Sequence, residues 1–194
     1  MNLKKGLILG AVALGILVIL GVTGIVPNPI ATGTPVDDTG PEVTAYGSLE
    51  HHLAFVYPAN YELKEFPLKN EADEWTAITL IDKEILKSAI ENGASEGPPT
   101  IAIQIFPNPT NITAEEWIKG SRFSNYGFST NTTFATTTIG GQPAFGYIYS
   151  GLYSTDVLVV SHNSKIYMFL ADWIAEDDKN RQDFDPIIES VQFI

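Results

Sequence analysis

The chain has 194 residues, no cysteine, and 23 Asp and Glu against 11 Lys and Arg, a formal net charge of −12. That length holds one ordinary domain plus a targeting segment. The acidity argues against nucleic acid and anionic lipid headgroups as partners, and the absent thiol excludes disulfide staples, thiolate chemistry and lipid attachment at cysteine.

The chain opens on Met1-Asn2-Leu3-Lys4-Lys5 and continues through 21 uncharged residues, 6–26. As a helix that run rises roughly 31 Å, the thickness of a bilayer's hydrocarbon core. The apolar core of a secretory signal spans only about 7–15 residues. Residues 1–26 are therefore expected to be an uncleaved transmembrane anchor, with cleavage near Val22-Thr23-Gly24 and secretion as the alternative. Lys4 and Lys5 are the only charges before Asp37, so the amino terminus should stay inside and the rest become extracytoplasmic. The exported part then holds nine Lys and Arg against 23 Asp and Glu, a balance of −14. Gly6 and Gly10 form a GxxxG, with Ala11 and Gly15 at the same spacing; a glycine-rich anchor explains them without a dimer seam.

Residues 27–48 read as a linker. Pro27, Pro29, Pro35 and Pro41 are interspersed with Gly33 and Gly40, and no apolar period appears. A flexible chain of that length has a root-mean-square span of roughly 25 Å. Residues 49–194 are the extracytoplasmic domain, long enough to bury about 70% of its unfolded surface without staples.

Within it, strands are predicted at 53–57 and 61–66 around the turn Pro58-Ala59-Asn60, and at 75–81. Residues 82–92 have helical spacing, with Ile85, Leu86 and Ile90 on one side and Gly93 closing the helix. After a further strand at 101–106, Thr113-Ala114-Glu115-Glu116 has capping-box spacing, and the helix it starts should turn Trp117 and Ile118 inward. Strands at 133–139, 143–149, 156–160 and 165–173 then form a meander, turning at Gly140-Gly141 and at His162-Asn163-Ser164. The last strand is apolar on both faces, Ile166, Met168 and Leu170 on one and Tyr167, Phe169 and Trp173 on the other. Such a strand is covered on both sides. Phe184, Ile187, Ile188 and Val191 follow a helical period, with Asp185 capping a new turn that places Pro186 first. A short strand should close the chain at 191–193, and Trp173 and Phe184 are expected to share one buried layer.

The motifs that suggest chemistry have simpler readings. Gly93-Ala94-Ser95-Glu96-Gly97 fits the G-x-S-x-G pattern, but a helix precedes it and Pro98-Pro99 follows; a nucleophile elbow needs a strand before and a helix after. His51 and His52 are adjacent, point opposite ways in extended chain and lack metal-ligand spacing. His162 sits in a predicted turn, and surface or turn roles are expected for all three histidines. Glu115-Glu116 and Glu176-Asp177-Asp178 stand at predicted helix starts, where the dipole favours negative charge. Asn111-Ile112-Thr113 and Asn131-Thr132-Thr133 match the glycosylation sequon. No catalytic, cofactor-binding or metal residue is assigned, no cofactor is called for, and binding residues stay open.

The order of elements nevertheless has a likeness. Phe55-Val56-Tyr57-Pro58 in an opening hairpin, Glu115-Glu116-Trp117 in a central helix, a Gly140-Gly141-Gln142-Pro143-Ala144 turn, Lys165-Ile166-Tyr167 and Ile187-Ile188-Glu189-Ser190-Val191-Gln192-Phe193 together resemble the PsbP-like family over residues 51–193. The resemblance implies an α+β fold, a mainly antiparallel sheet sandwiched between helices. It also implies binding as the default role, since relatives include extrinsic photosystem subunits and protein-binding adaptors.

Three functions follow as expectations. The first is a non-catalytic binding or accessory module tethered to the outer face of the cytoplasmic membrane, with a protein partner. The second is an extrinsic photosystem II accessory protein, and the third a hydrolase whose site assembles from Ser95, His162 and Asp156. The topology has a direct check. Protease added to spheroplasts should remove the domain, whereas full protection would reverse the orientation, and release without protease would indicate signal cleavage.

Overall fold

Seven strands whose apolar residues alternate or run continuously make the main sheet, and their turns make it antiparallel. The computed structural model describes residues 42–71, 73–93, 97–129 and 133–194. The expected anchor, most of the linker, Ser95 and the Asn131 sequon lie outside the described residues. Among those described, no helix is long and apolar enough to cross a membrane.

The chain forms β1 (Val43–Ser48), β2 (Leu53–Pro58), β3 (Tyr61–Lys69), β4 (Glu74–Asp82), α1 (Lys83–Glu91), β5 (Ile101–Pro107) and α2 (Ala114–Gly120). It continues through β6 (Ala135–Ile139), β7 (Gln142–Ser150), β8 (Ser154–His162), β9 (Lys165–Trp173), α3 (Lys179–Glu189) and β10 (Gln192–Phe193). The main sheet runs β3-β4-β5-β9-β8-β7-β6, and a second, small sheet runs β1-β2-β10. Two-residue turns join β6 to β7 and β8 to β9, through Gly140 and Gly141 at φ +53° and +77°, and Asn163 and Ser164 at φ +48° and +56°. Positive φ at both central residues gives the turn a twist that matches the strands. Gly140 is required twice over, because a Cβ there would come within 2.8 Å of the Phe193 ring.

The two faces of β9 enter two separate cores. Ile166, Met168 and Leu170 pack with Phe106, Trp117 and Ile118 beneath α2. Tyr167, Phe169 and Ala171 pack with Leu53, Phe55, Phe184 and Ile187 beneath α3 and the small sheet. The expected cover on both faces is present, but one of the covers is a helix and a three-stranded sheet together.

Several expectations need correction. Residues 43–48, read as linker, are a strand paired with β2 from Val43↔Pro58 to Ser48↔Leu53, with Tyr46 stacked 5.0 Å from Phe55. The opening hairpin does not exist: β2 belongs to the small sheet and β3 to the main one, so Pro58-Ala59-Asn60 carries the chain between layers. The apolar side of α1 is not core, since Ile90 is exposed and no residue of the helix is buried; Asp82 caps it by accepting from Glu84 N and Ile85 N. The terminal helix begins after Asp178, not at Asp185, has no side-chain cap bond, and carries Pro186 internally. Its buried stripe, Asn180, Phe184, Ile187 and Ile188, outweighs the backbone hydrogen bond that proline forfeits. The capping box of α2 forms as expected, Glu116 N donating to Thr113 Oγ1 at 3.1 Å and Thr113 N to Glu116 Oε2 at 2.9 Å.

Trp173 and Phe184 do not share a layer. Phe184 is buried, whereas Trp173 is half-buried at the rim with the Arg181 guanidinium 4.3 Å above its ring. Phe184→Ala should therefore cost about 3–5 kcal/mol in denaturant unfolding, and Trp173→Ala clearly less. Equal losses would put Trp173 in the core after all.

Candidate functional site

A concavity forms where the end of β5, α2 and the segment after α2 meet the start of β4. Phe106 and Pro107, Ile112, Glu116 and Trp117, and Arg122 and Phe123 surround a groove of about 620 Å³. Its walls are aromatic because inward-facing residues of three elements converge there. Phe106 lies 5.0 Å from Trp117 and 5.1 Å from Phe123, and Phe123 lies 4.9 Å from Trp75. Edge and tilted contacts of this kind hold the rings rigidly beyond their burial alone.

Charge sits at the rim. Arg122 pairs with Asp73, donates to Asn70 Oδ1 at 3.2 Å and stacks over Phe123 at 5.0 Å. The Glu116 carboxyl is held below its usual range by the backbone N–H of Thr113, then by the Thr113 hydroxyl. The indole Nε1 of Trp75 is buried with no hydrogen-bond partner among the described residues. Aromatic walls with a mixed-charge rim suit a protein side chain or short segment. They offer no nucleophile with an adjacent base.

The histidines lie in or beside turns, and one of them is not at the surface. His51 is buried, and its Nε2 lies 2.8 Å from Glu65 Oε1; Tyr46 donates to Glu65 Oε2 at 2.9 Å. Of the surface or turn roles expected, His51 takes the turn one: the turn before β2 tucks its ring between the small sheet and β3. The Tyr167 hydroxyl holds that turn by donating to His51 O at 2.8 Å. His52 points elsewhere, with Nδ1 3.0 Å from Ile194 O, and the His162 ring rests 4.8 Å from that of Phe193. The link from His51 to Glu65 and Tyr46 had no signature in the sequence, because its three members lie on elements whose pairing no local pattern gives.

Asp156 is committed to Arg181, 2.9 Å away, and burial raises its carboxyl above the usual range against the pull of that guanidinium. Asp156 and His162 both lie on β8, six residues apart, which separates them by about 20 Å. The described members of the hydrolase trio are therefore not brought together. Glu115, in the first turn of α2, pairs with Lys119 at 2.6 Å, and Asp178 closes the turn before α3 by accepting from the Ile174 and Ala175 amides. No group of three His, Cys, Asp or Glu able to hold a metal occurs among the described residues.

No family model matches the chain, and no curated protein matches it in sequence. The solution structure of cyanobacterial PsbP (CyanoP) from Synechocystis sp. PCC 6803 is similar at TM-score 0.51 and 13% identity, over 84% of this chain and 99% of that one. The domain is PsbP-like in fold. A crystal structure from Bacteroides thetaiotaomicron VPI-5482 is similar at TM-score 0.44 and 8% identity, over 77% of this chain and 48% of that one.

The His51 link generates a pH prediction. The hydrogen bond from His51, then that from Tyr46, hold the Glu65 carboxyl below its ordinary value of 4.5. A depressed carboxyl contributes stability above its ordinary value and loses it as pH falls through the lowered one. Glu65 is 41% exposed, so solvent screening keeps the effect modest. Glu65→Gln should be less stable than the native chain at neutral pH, and the gap should close in acid. A gap independent of pH would mean that the carboxylate's charge contributes nothing.

Proposed function

We propose that the protein is a non-catalytic binding module, held on the outer face of the cytoplasmic membrane, that presents its acidic domain to a protein partner. The carrying observation is the rigid aromatic groove of Phe106, Trp117 and Phe123 with Arg122 and Glu116 at its rim. Convergent aromatics beside an arginine are the composition of interface hot spots. The tether reading rests on the 21 uncharged residues that follow Lys4-Lys5. The PsbP-like fold agrees with a binding role but does not by itself supply one.

The hydrolase reading is weaker because Asp156 is occupied by Arg181 and stands a strand's length from His162. A photo-crosslinking residue at Ile112, which lines the groove and is 38% exposed, should give a discrete adduct in intact membranes. The same probe at Ile90, exposed on α1, should give none, and Arg122→Ala should weaken the Ile112 adduct. Equal labelling at both positions would reject the groove. Turnover of peptide, ester or phosphoester substrates that Asp156→Asn or His162→Ala abolishes would reject the non-catalytic reading.

A further inference from the structure

The two edges of the main sheet are treated differently. An edge strand presents unpaired backbone groups, and chains normally blunt it with charge, proline or cover. At one edge, β3 carries Lys64, Pro67 and Lys69, with ion pairs Lys64–Glu62 at 3.2 Å and Lys69–Glu74 at 3.7 Å. His51 and Tyr46 also reach its Glu65. At the other edge, β6 reads Ala-Thr-Thr-Thr-Ile, with neither charge nor proline, and every residue but Ile139 is exposed. Among the described residues no strand pairs with its outer side.

The register says which groups are open. Ile139 and Gln142 flank the Gly140-Gly141 turn as a hydrogen-bonded pair. Alternation then directs Ala135 and Thr137 toward β7 as well, and leaves the N–H and C=O of Thr136 and Thr138 pointing out. Pro143, opposite Thr138, sits where β6 asks for no donor.

Beside this edge lies a built pocket. Ala135 and Gly146 face each other across β6 and β7, Leu158 leans over Gly146 to within 2.9 Å of where a Cβ would stand, and beside them a hollow of about 330 Å³ lies between the sheet and α3, lined also by Ile148. Its rim carries Asp156 and Asp185 against the single cation Arg181, which is already paired with Asp156. A strand added to β6 would place alternate side chains about 5 Å from Ala135 or Thr137, over this hollow.

We propose that β6 is a strand-addition site for an extended, basic segment of a partner protein, which pairs with Thr136 and Thr138, seats one apolar side chain between Ala135 and α3, and sets a Lys or Arg against Asp185. Backbone pairing supplies the affinity and the hollow the specificity, as in other strand-addition complexes. Charge selects the partner: the chain carries −12, which opposes a second copy of itself on this edge and attracts a basic strand. The site lies on the α3 face of the sheet, opposite the aromatic groove, so it is independent of the reading above.

The test uses the full-length chain in detergent micelles and a synthetic peptide of alternating Lys and Val. The peptide should bind, should slow hydrogen exchange at the Thr136 and Thr138 amides, and should leave the Thr137 amide unchanged. Thr136→Pro removes an outward donor without touching the β7 ladder and should weaken binding at least tenfold. Ala135→Phe, which fills the hollow, and Asp185→Lys, which reverses the rim, should do likewise, and Asp185→Lys is at the surface and leaves the fold intact. A Glu/Val peptide should not bind. Binding that all three variants leave unchanged, or no protection at Thr136 and Thr138, would overturn the proposal. Concentration-dependent dimerisation that Thr136→Pro abolishes would overturn it in favour of a second copy.

Discussion

Six consecutive residues of β9, Ile166 to Ala171, are between 0% and 5% exposed, and the remaining architecture answers the need to cover them on both sides. The Ile166, Met168, Phe169 and Leu170 side chains each gain roughly 1.5–3 kcal/mol on leaving water, so a strand of this kind is stable only as the middle layer of three. β5 and β8 flank it in the sheet. On one face α2 and the aromatic residues that follow it supply the cover; on the other, α3 and the small sheet do. The sole polar side-chain atom of the six, the Tyr167 hydroxyl, is satisfied by the carbonyl of His51, which ties the second cover to the strand it protects.

Polar contacts then fix where α3 lies. Asn180, buried on its first turn, donates to Asp172 O and accepts from the Tyr61 hydroxyl, which also reaches Asp183. Asp172 in turn accepts from Thr155 and Thr100, so four elements are locked at one corner. At the other end, Ser190 exchanges hydrogen bonds with the backbone of Val56 on β2. Pinned at both ends, the helix turns Arg181, Phe184 and Asp185 toward Ala135 and Gly146 across the hollow. Leu158 leans over Gly146 so closely that a Cβ there would meet it at 2.9 Å. Among the described residues no strand continues the sheet beyond β6.

The two surfaces proposed for binding have different physical origins. The aromatic groove is the outer margin of the first core, where inward-facing rings of β4, β5 and α2 run out of covering chain. The β6 edge is a backbone feature, and its side chains matter mainly for being small and uncharged. A module with both could hold a folded partner by side chains and an extended segment by backbone at once, and linked contacts of this kind raise avidity without strengthening either site.

The sequence by itself determined the elements whose signals are local. The capping box at Thr113, the turns at Gly140-Gly141 and His162-Asn163-Ser164, and the two apolar faces of β9 each depend on neighbours within a few residues. Local sterics and the strand period are enough to read them. The family resemblance, resting on turn and packing signatures, gave the fold but no site, because such signatures report where chain is buried. Tertiary structure alone decided the rest. It drew residues 43–48 into a sheet because Tyr46 and Val43 find partners on β2, and it sent β2 and β3 into different layers across a turn that locally reads as a hairpin. It kept Pro186 inside α3, where burial of Asn180, Phe184, Ile187 and Ile188 outweighs one backbone hydrogen bond, and it put Trp173 at the rim under Arg181. The same long-range closure buried His51 against Glu65, and among the described residues it left β6 as an edge strand with no outer partner. Those outcomes depend on contacts between residues far apart in the chain, whose free energy no local pattern records.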